Sequence, residues 1–102
     1  MPVLAVEITR FVDESFPGFV ECRLMDVNNE VHLFVEKAPV VSTENLSSAS
    51  SYPRQGALQC ELLASWHEGS TSMAKVSTEK PWGIESTTGE TEFLVLSSQL
   101  LS

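Results

Sequence analysis

A histidine near carboxylates is the first arrangement in this sequence that could do chemistry. His32 lies in an alternating apolar and polar stretch that also holds Glu36, and Glu21 and Arg23 lie in the alternating stretch before it. If the two stretches pair as antiparallel strands, these side chains share one face. A histidine beside a carboxylate is the smallest arrangement of side chains that commonly transfers a proton. Because no serine or cysteine nucleophile shares that face, we favour a solvated surface on which Arg23 offsets the glutamates.

The cysteines are poor candidates for catalysis or for zinc binding. Cys22 is expected to project from the face opposite His32, and Cys60 lies in an apolar face where burial would keep its thiol protonated. The cysteines and histidines of the chain do not have the spacing of a structural zinc site. We therefore expect two buried free thiols, no metal and no cofactor.

The carboxylates of Glu85, Glu90 and Glu92 are a further candidate, because a turn at Thr88-Gly89 would place them together at the end of a hairpin. Facing carboxylates repel one another, and a hard cation such as calcium would relieve that repulsion. The sequence has no calcium-loop spacing, however, and water would screen the charges at a hairpin end. We interpret this cluster as solvated rather than metal-binding.

Two aromatic residues, Trp82 and Tyr52, are candidates for contact with a partner. An exposed tryptophan is a typical anchor of protein interfaces, whereas a buried one would close the end of a barrel. The turn at 88–89 would pair Trp82 with Val95 and Ile84 with Phe93, which favours the buried position. Tyr52 ends a serine-rich stretch, and such a stretch is as often a plain connection as a functional loop.

The elements that must position these side chains begin with a predicted hairpin. Residues 19–25 and 31–41 alternate apolar and polar positions, and the second stretch is predicted to be the central strand. Asn28 and Asn29 between them tolerate the positive φ angles of a two-residue turn. The register set by this turn would place four side chains in the core: Leu24, Cys22, Leu33 and Val35. On the outer face it would form three pairs: Met25 with His32, Arg23 with Phe34, and Glu21 with Glu36.

The rest of the chain also shows the period of two that is typical of strands. The sequence predicts an all-β fold in one domain over residues 1–102, as a small antiparallel β-barrel or sandwich of about six or seven strands with one long Ser-rich loop. Leu63 interrupts the alternation and indicates either a bulge or a second apolar face. The other predicted elements are strands at 3–12, 57–66 and 73–78 and the loop at 42–55.

The charge of the chain argues against two classes of partner. Lys and Arg number 6 against 14 Asp and Glu, which gives a formal net charge of -8. That field repels phosphate backbones and anionic lipid headgroups, so we expect no nucleic acid and no membrane partner. No stretch reaches the roughly 18 apolar residues of a membrane span, and the first residues lack the basic segment of a signal peptide. We expect a cytoplasmic protein.

These observations favour a non-enzymatic protein-interaction module, since no catalytic motif such as a P-loop or HExxH is present. The expected partner is another protein, in particular a basic one, or a second copy in a homodimer held by the outer hairpin face. The alternative is a small-molecule-binding or hydrolytic barrel that uses His32 with Glu36 or Glu21. The expected binding residues are His32, Phe34, Glu36, Arg23, Met25, Trp82 and Tyr52.

Overall fold

The computed structural model describes residues 2–101, which form mostly strands in two antiparallel sheets, so the all-β prediction is confirmed. A short helix follows the third strand, and a 3-10 turn at Ser97–Gln99 precedes the last strand. The elements are β1 (Val3–Asp13), β2 (Phe19–Met25), β3 (Val31–Lys37), α1 (Ala38–Val41), β4 (Arg54–Gln59), β5 (Glu61–Glu68), β6 (Thr71–Ser77), β7 (Glu92–Leu96) and β8 (Leu100–Leu101).

The first sheet has the strand order β3-β2-β1-β4, and β8 pairs with the beginning of β1. The prediction that 31–41 is the central strand is therefore wrong: β3 is an edge strand, and the long β1 lies inside the sheet. β3 also ends at Lys37, because Pro39 cannot donate a ladder hydrogen bond and instead lies in the first turn of α1.

The second sheet has the order β5-β6-β7. The stretch predicted as one strand at 57–66 is divided at Cys60, where the chain passes from the first sheet to the second. Alternation continues through this point, so the sequence pattern does not show the crossing. Of the two alternatives for Leu63, the structure has the bulge, because the register of β5 against β6 shifts between Leu62 and Ala64.

The register of the β2-β3 hairpin differs by one residue from the prediction. The connection is a five-residue loop, in which the Asp26 side chain accepts hydrogen bonds from the backbone N–H groups of Asn28 and Glu30. This loop sets Leu24 opposite His32 and Cys22 opposite Phe34. Because side chains alternate with a period of two, the shift turns His32 and Phe34 to the inner face and Val31, Leu33 and Val35 to the outer face.

The predicted pairing across Thr88-Gly89 is also wrong. Residues 82–91 form a loop, and β7 pairs with β6, so that Val95 lies opposite Ala74 and Phe93 opposite Val76. Ser86 organises this loop, because its Oγ accepts hydrogen bonds from the N–H groups of Thr88 and Glu90. Side-chain hydrogen bonds of this kind give the backbone an alternative to the strand ladder.

The core is one cluster of buried side chains drawn from both sheets and from α1. Phe34 of the first sheet contacts Phe93 of the second edge-on, with ring centroids 5.5 Å apart. Gly56 permits α1 to cross close to β4, since a Cβ at this position would lie 3.0 Å from the carbonyl oxygen of Val41 and 2.7 Å from Cγ1 of Ile8. The largest fully buried side chains are Phe34, Leu4, Ile8, Leu24 and Leu58.

Candidate functional site

His32 lies between two carboxylates on the inner side of the β2-β3 hairpin. Its Nε2 is 2.9 Å from Oδ2 of Asp26, and its Nδ1 is 3.4 Å from Oε1 of Glu90. The ring contacts Phe93 edge-on at 4.9 Å between centroids, and only 8% of the residue is exposed. His32 thus has a hydrogen-bond partner at Nε2 and a second carboxylate close to Nδ1, and the two carboxylates come from separate parts of the chain.

Asp26 is positioned by the loop that it closes. Its Oδ1 accepts the backbone N–H groups of Asn28 at 2.8 Å and Glu30 at 3.0 Å, which leaves Oδ2 for His32. Burial raises the pKa of Asp26, but the hydrogen bonds from His32, Glu30 and Asn28 outweigh burial and bring the pKa below its ordinary value. Asp26 is therefore ionised at neutral pH.

Glu90 approaches His32 from the loop before β7. Its Oε1 accepts a hydrogen bond from Oγ1 of Thr88 at 2.7 Å, and its N–H donates to Oγ of Ser86 at 3.0 Å. Backbone bonds join the same two regions: Val27 N–H donates to the Leu94 carbonyl, and Thr87 N–H donates to the Leu33 carbonyl. The histidine site therefore lies at the joint between the hairpin of the first sheet and the last strand of the second.

Asp26, Glu30 and His32 form the one group of at least three potential metal ligands found in residues 2–101. Each contributes one ligand atom, and these atoms all lie within 4.8 Å of one another. His32 is buried, Asp26 is partly buried and Glu30 is exposed, so the group opens toward solvent on one side. This group was not predicted from the sequence, in which the candidate metal ligands were the cysteines, the histidines and the glutamates within 85–92.

The predicted arrangement of His32 with Glu21 and Glu36 is not formed. Glu21 lies on the outer face, where it accepts hydrogen bonds from Arg10 at 3.1 Å and Thr9 at 2.8 Å. Glu36 shares the inner face with His32 but lies four residues further along β3, about 13 Å at the rise of a strand. The one-residue shift in register separates these groups, and it also removes His32 and Phe34 from the outer face where they were predicted.

Glu36 is half-buried on the inner face, and no ion pair to it is found in the part of the chain that the structure describes. Burial raises the pKa of Glu36, and the charge of Lys37 offsets the effect only in part. The ionised carboxylate thus costs stability at neutral pH. The destabilisation is complete at a pH above the raised pKa that Glu36 has in the folded protein. It disappears at a pH below 4.5, the ordinary pKa of this group.

Replacing Glu36 with glutamine is therefore expected to raise the Tm at neutral pH, with a gain that shrinks to nothing as the pH falls below the ordinary pKa of a glutamate. Thermal unfolding of both proteins over a pH series measures this difference. Glu61→Gln, at an exposed position of β5, is the matched control and should show no comparable gain. A Tm gain that is constant with pH would contradict the assignment.

The two cysteines are buried free thiols, as predicted. Burial raises the pKa of Cys22 to about 12, with further increases from the charges of Glu36 and Glu21. Burial also raises the pKa of Cys60. Because only a thiolate is an effective nucleophile, neither cysteine is suited to catalysis at neutral pH.

The outer face of the first sheet carries an apolar strip formed by Met25, Val31, Leu33 and Val35, which are between 36% and 46% exposed. Met25 lies directly opposite Val31. A groove of about 480 Å³ continues from Met25 and Arg23 toward Gln55 and Gln99. Arg23 and Met25 thus lie on the outer face as predicted.

The two aromatic candidates differ in exposure. Trp82 is 52% exposed and lines a second groove of about 400 Å³ with Val40 and Gly56, so its predicted burial against Val95 is wrong. Tyr52 packs against the core, and its hydroxyl donates to the Ser47 carbonyl at 2.7 Å. Tyr52 therefore braces the Ser-rich loop.

The predicted cluster of Glu85, Glu90 and Glu92 is not formed on a hairpin. Glu90 turns toward His32, while Glu92 forms an ion pair with Lys75 at 3.2 Å. Glu85 lies exposed in the loop before β7. The loop conformation set by Ser86 separates these side chains.

Comparisons with known proteins do not identify a relative. No family model matches the chain, and no curated protein or solved structure matches it. Within residues 2–101 no helix has both the length and the apolar character needed to cross a membrane.

Proposed function

We propose that the protein is a non-enzymatic, cytoplasmic protein-interaction module in which the apolar strip on the first sheet is the binding surface. In this proposal the two sheets form a sandwich rather than a closed barrel. The open strand order of each sheet and the core shared by both support the sandwich.

The apolar strip is the observation that carries the proposal. An antiparallel sheet with one solvated face normally alternates apolar residues inward and polar residues outward. β3 departs from this rule, because Val31, Leu33 and Val35 face outward while Phe34 faces the core. Scattered exposed apolar residues are ordinary, but a contiguous group marks an interaction site.

Charged residues border the strip in the manner of a protein interface. Leu33 lies opposite Arg23, and Val35 lies opposite Glu21. An apolar centre with a polar rim is the usual anatomy of protein–protein contacts. The adjoining groove at Met25 enlarges the surface that a partner would cover.

The partner best suited to this surface is a protein with a basic region around an apolar patch. The chain has a formal net charge of -8, which would attract a basic surface and accelerate association at low ionic strength. Two copies of the chain would each carry that charge and repel one another. We therefore favour a basic partner over the homodimer.

The alternative of a hydrolytic or small-molecule-binding barrel finds no support in the positions of its residues. His32 does not meet Glu36 or Glu21, and it is buried against Phe93. The grooves at Arg23, at Trp82 and at Phe16 are lined by other residues.

The experiment compares binding by Leu33→Thr/Val35→Thr with binding by the wild type. Threonine preserves strand propensity and removes apolar surface. A partner captured from extracts of the source cells, identified by mass spectrometry and then purified, should bind the double variant at least roughly tenfold more weakly, because central apolar contacts dominate interface energies. Binding by the wild type should weaken with added salt.

The matched control is Leu62→Thr/Leu63→Thr, which removes exposed apolar residues from β5 on the other sheet. This control should retain the partner. The proposal fails if the two double variants lose the partner equally, or if the wild type yields none. Sedimentation that shows a dimer sensitive to Leu33→Thr would instead identify a second copy as the occupant.

A further inference from the structure

We propose that the chain forms a weak, two-fold symmetric dimer in which the β5 edge of one copy pairs antiparallel with the β5 edge of a second copy. β5 borders the second sheet: β6 lies on one side of it, and no strand of the described chain lies on the other. This edge is separate from the apolar strip, which lies on the first sheet. The inference therefore does not depend on the proposed function.

Both faces of β5 are open to solvent. Seven of its eight residues are exposed, and Trp66 is partly buried. The neighbouring strand β6, in contrast, has four buried residues, of which Ala74 and Val76 belong to the core cluster. A further strand can therefore lie beside β5 without displacing any part of the chain that the structure describes.

The peptide groups of Ser65 and His67 point away from β6. Glu68 pairs with Thr71 across a two-residue turn that begins with Gly69. The pair beside such a turn exchanges both hydrogen bonds, and hydrogen-bonded pairs then alternate along the ladder. Ser65 and His67 lie at the alternate positions, and within the described chain no other backbone hydrogen bond reaches either residue. Their N–H and C=O groups are thus available to another strand.

Two other border strands are less available for pairing. The N–H of Thr87 bonds to the Leu33 carbonyl of β3, and the N–H of Val27 bonds to the Leu94 carbonyl of β7. A border strand with unpaired peptide groups is the usual site at which a strand from another chain is added. β5 therefore fits an extended strand as its partner.

One register makes this edge complementary to itself. With the two-fold axis at Trp66, Ser65 of each copy lies opposite His67 of the other, and each of these pairs exchanges both N–H···O hydrogen bonds. An axis at Ser65 would instead require Leu63, where the bulge interrupts the strand. The bulge therefore limits pairing to residues 64–68.

A row of apolar side chains favours a second copy as the occupant. Trp66 lies opposite Met73, and Met73 lies opposite Leu96, so the row crosses the second sheet and ends at the β5 edge. In the dimer, Trp66 of the second copy lies directly opposite Trp66 and continues the row across both sheets. Aromatic pairs at such cross-strand positions are stabilising. An unrelated strand would supply no such continuation.

The size and the charge of this contact predict a weak dimer. Pairing of residues 64–68 forms an interface below the roughly 1,200 Å² of stable complexes. Glu68 is the one carboxylate in this segment, and in the proposed register it lies opposite Ala64 of the second copy rather than another acid. The net charge of -8 on each copy still repels at longer range, and salt screens that repulsion. The dimer should therefore tighten with salt, whereas binding of a basic partner should weaken.

Sedimentation equilibrium of the full chain, from about 10 μM to about 1 mM, tests for the dimer. We expect an average mass that rises with protein concentration and with added NaCl. Ser65→Pro removes an N–H that points away from β6, so it should weaken dimerisation by at least roughly tenfold while the protein stays folded by circular dichroism. Ser65→Thr retains this N–H and is the matched control.

Disulfide cross-linking tests the register. Residue 66 of the two copies would form a non-hydrogen-bonded pair, in which the Cα atoms are about 4.5 Å apart and within reach of a disulfide. Trp66→Cys should therefore give a linked dimer under mild oxidation. Leu62→Cys is exposed on the same strand but lies outside the paired segment, and it should cross-link at least roughly tenfold more slowly. The native cysteines are buried, so the wild type gives the background.

Three results would overturn the inference: a monomer at every concentration, equal dimerisation by Ser65→Pro and Ser65→Thr, or equal cross-linking by Trp66→Cys and Leu62→Cys. A dimer that Leu33→Thr abolishes would overturn it as well, because the second copy would then lie on the apolar strip. Failure of the partner-binding experiment has no bearing on these results, since the variants that test the strip leave residues 64–68 intact.

Discussion

Replacing Phe34 with alanine is expected to lower the free energy of unfolding by about 3–5 kcal/mol, which is the usual cost of deleting a buried phenylalanine ring. Phe34 is 0% exposed and belongs to the core cluster that both sheets share. Its edge contact with Phe93 would be lost together with the apolar burial. Urea unfolding followed by circular dichroism measures the change.

The neighbouring residue provides the control, because Leu33 points to the opposite face of the same strand. Leu33→Ala should cost less than about 1 kcal/mol, as is common for exposed positions. The register predicted from the sequence reverses this order, with Leu33 in the core and Phe34 in water. Equal or reversed costs for the two variants would contradict the observed register.

Replacing His32 with alanine is expected to cost about 3 kcal/mol. Removing the imidazole takes a hydrogen-bond partner from the Asp26 carboxylate, and such a loss costs about 1–3 kcal/mol, or more where the group left behind is charged. The cost stays near 3 kcal/mol, because the N–H groups of Asn28 and Glu30 still bond to Asp26. The ring contact with Phe93 is lost as well.

His67→Ala is the control for the loss of a histidine, and at its exposed position it should change stability by no more than about 0.5 kcal/mol. Both variants are measured by urea unfolding. A double-mutant cycle with Asp26→Ala should show a clear coupling energy. Additive costs would mean that the pair does not interact as the geometry indicates.

Local sequence patterns were sufficient to predict the strands β1, β2 and β6, the loop before β4 and the bulge at Leu63. Each of these features is determined by residues that are close together in the sequence. The signals are the alternation of apolar and polar residues, a proline or glycine that ends a strand, and one apolar residue that interrupts the alternation. The register of β3 was not predicted correctly, because it depends on hydrogen bonds of one side chain, Asp26, and not on the alternation of residues. Asp26 closes a five-residue loop, and the Asn28-Asn29 pair is equally compatible with a shorter turn.

The histidine site was predicted in part. His32 was identified by its chemistry, but its partners were chosen from the wrong register. Asp26 could have been found, because an aspartate side chain often accepts the backbone N–H two residues further on and so closes a turn. Glu90 gave no local signal, since its approach to His32 depends on the docking of two sheets and on the loop that Ser86 organises.

The hydrogen bond from the Thr87 amide to the Leu33 carbonyl has a consequence for solubility. Strands at the border of a sheet present unpaired peptide groups, and another chain can add to them and propagate into an ordered polymer. The segment containing Thr87 shields the middle of β3 from such growth. The chain can therefore display apolar side chains on this strand while its peptide groups offer little template for fibril formation.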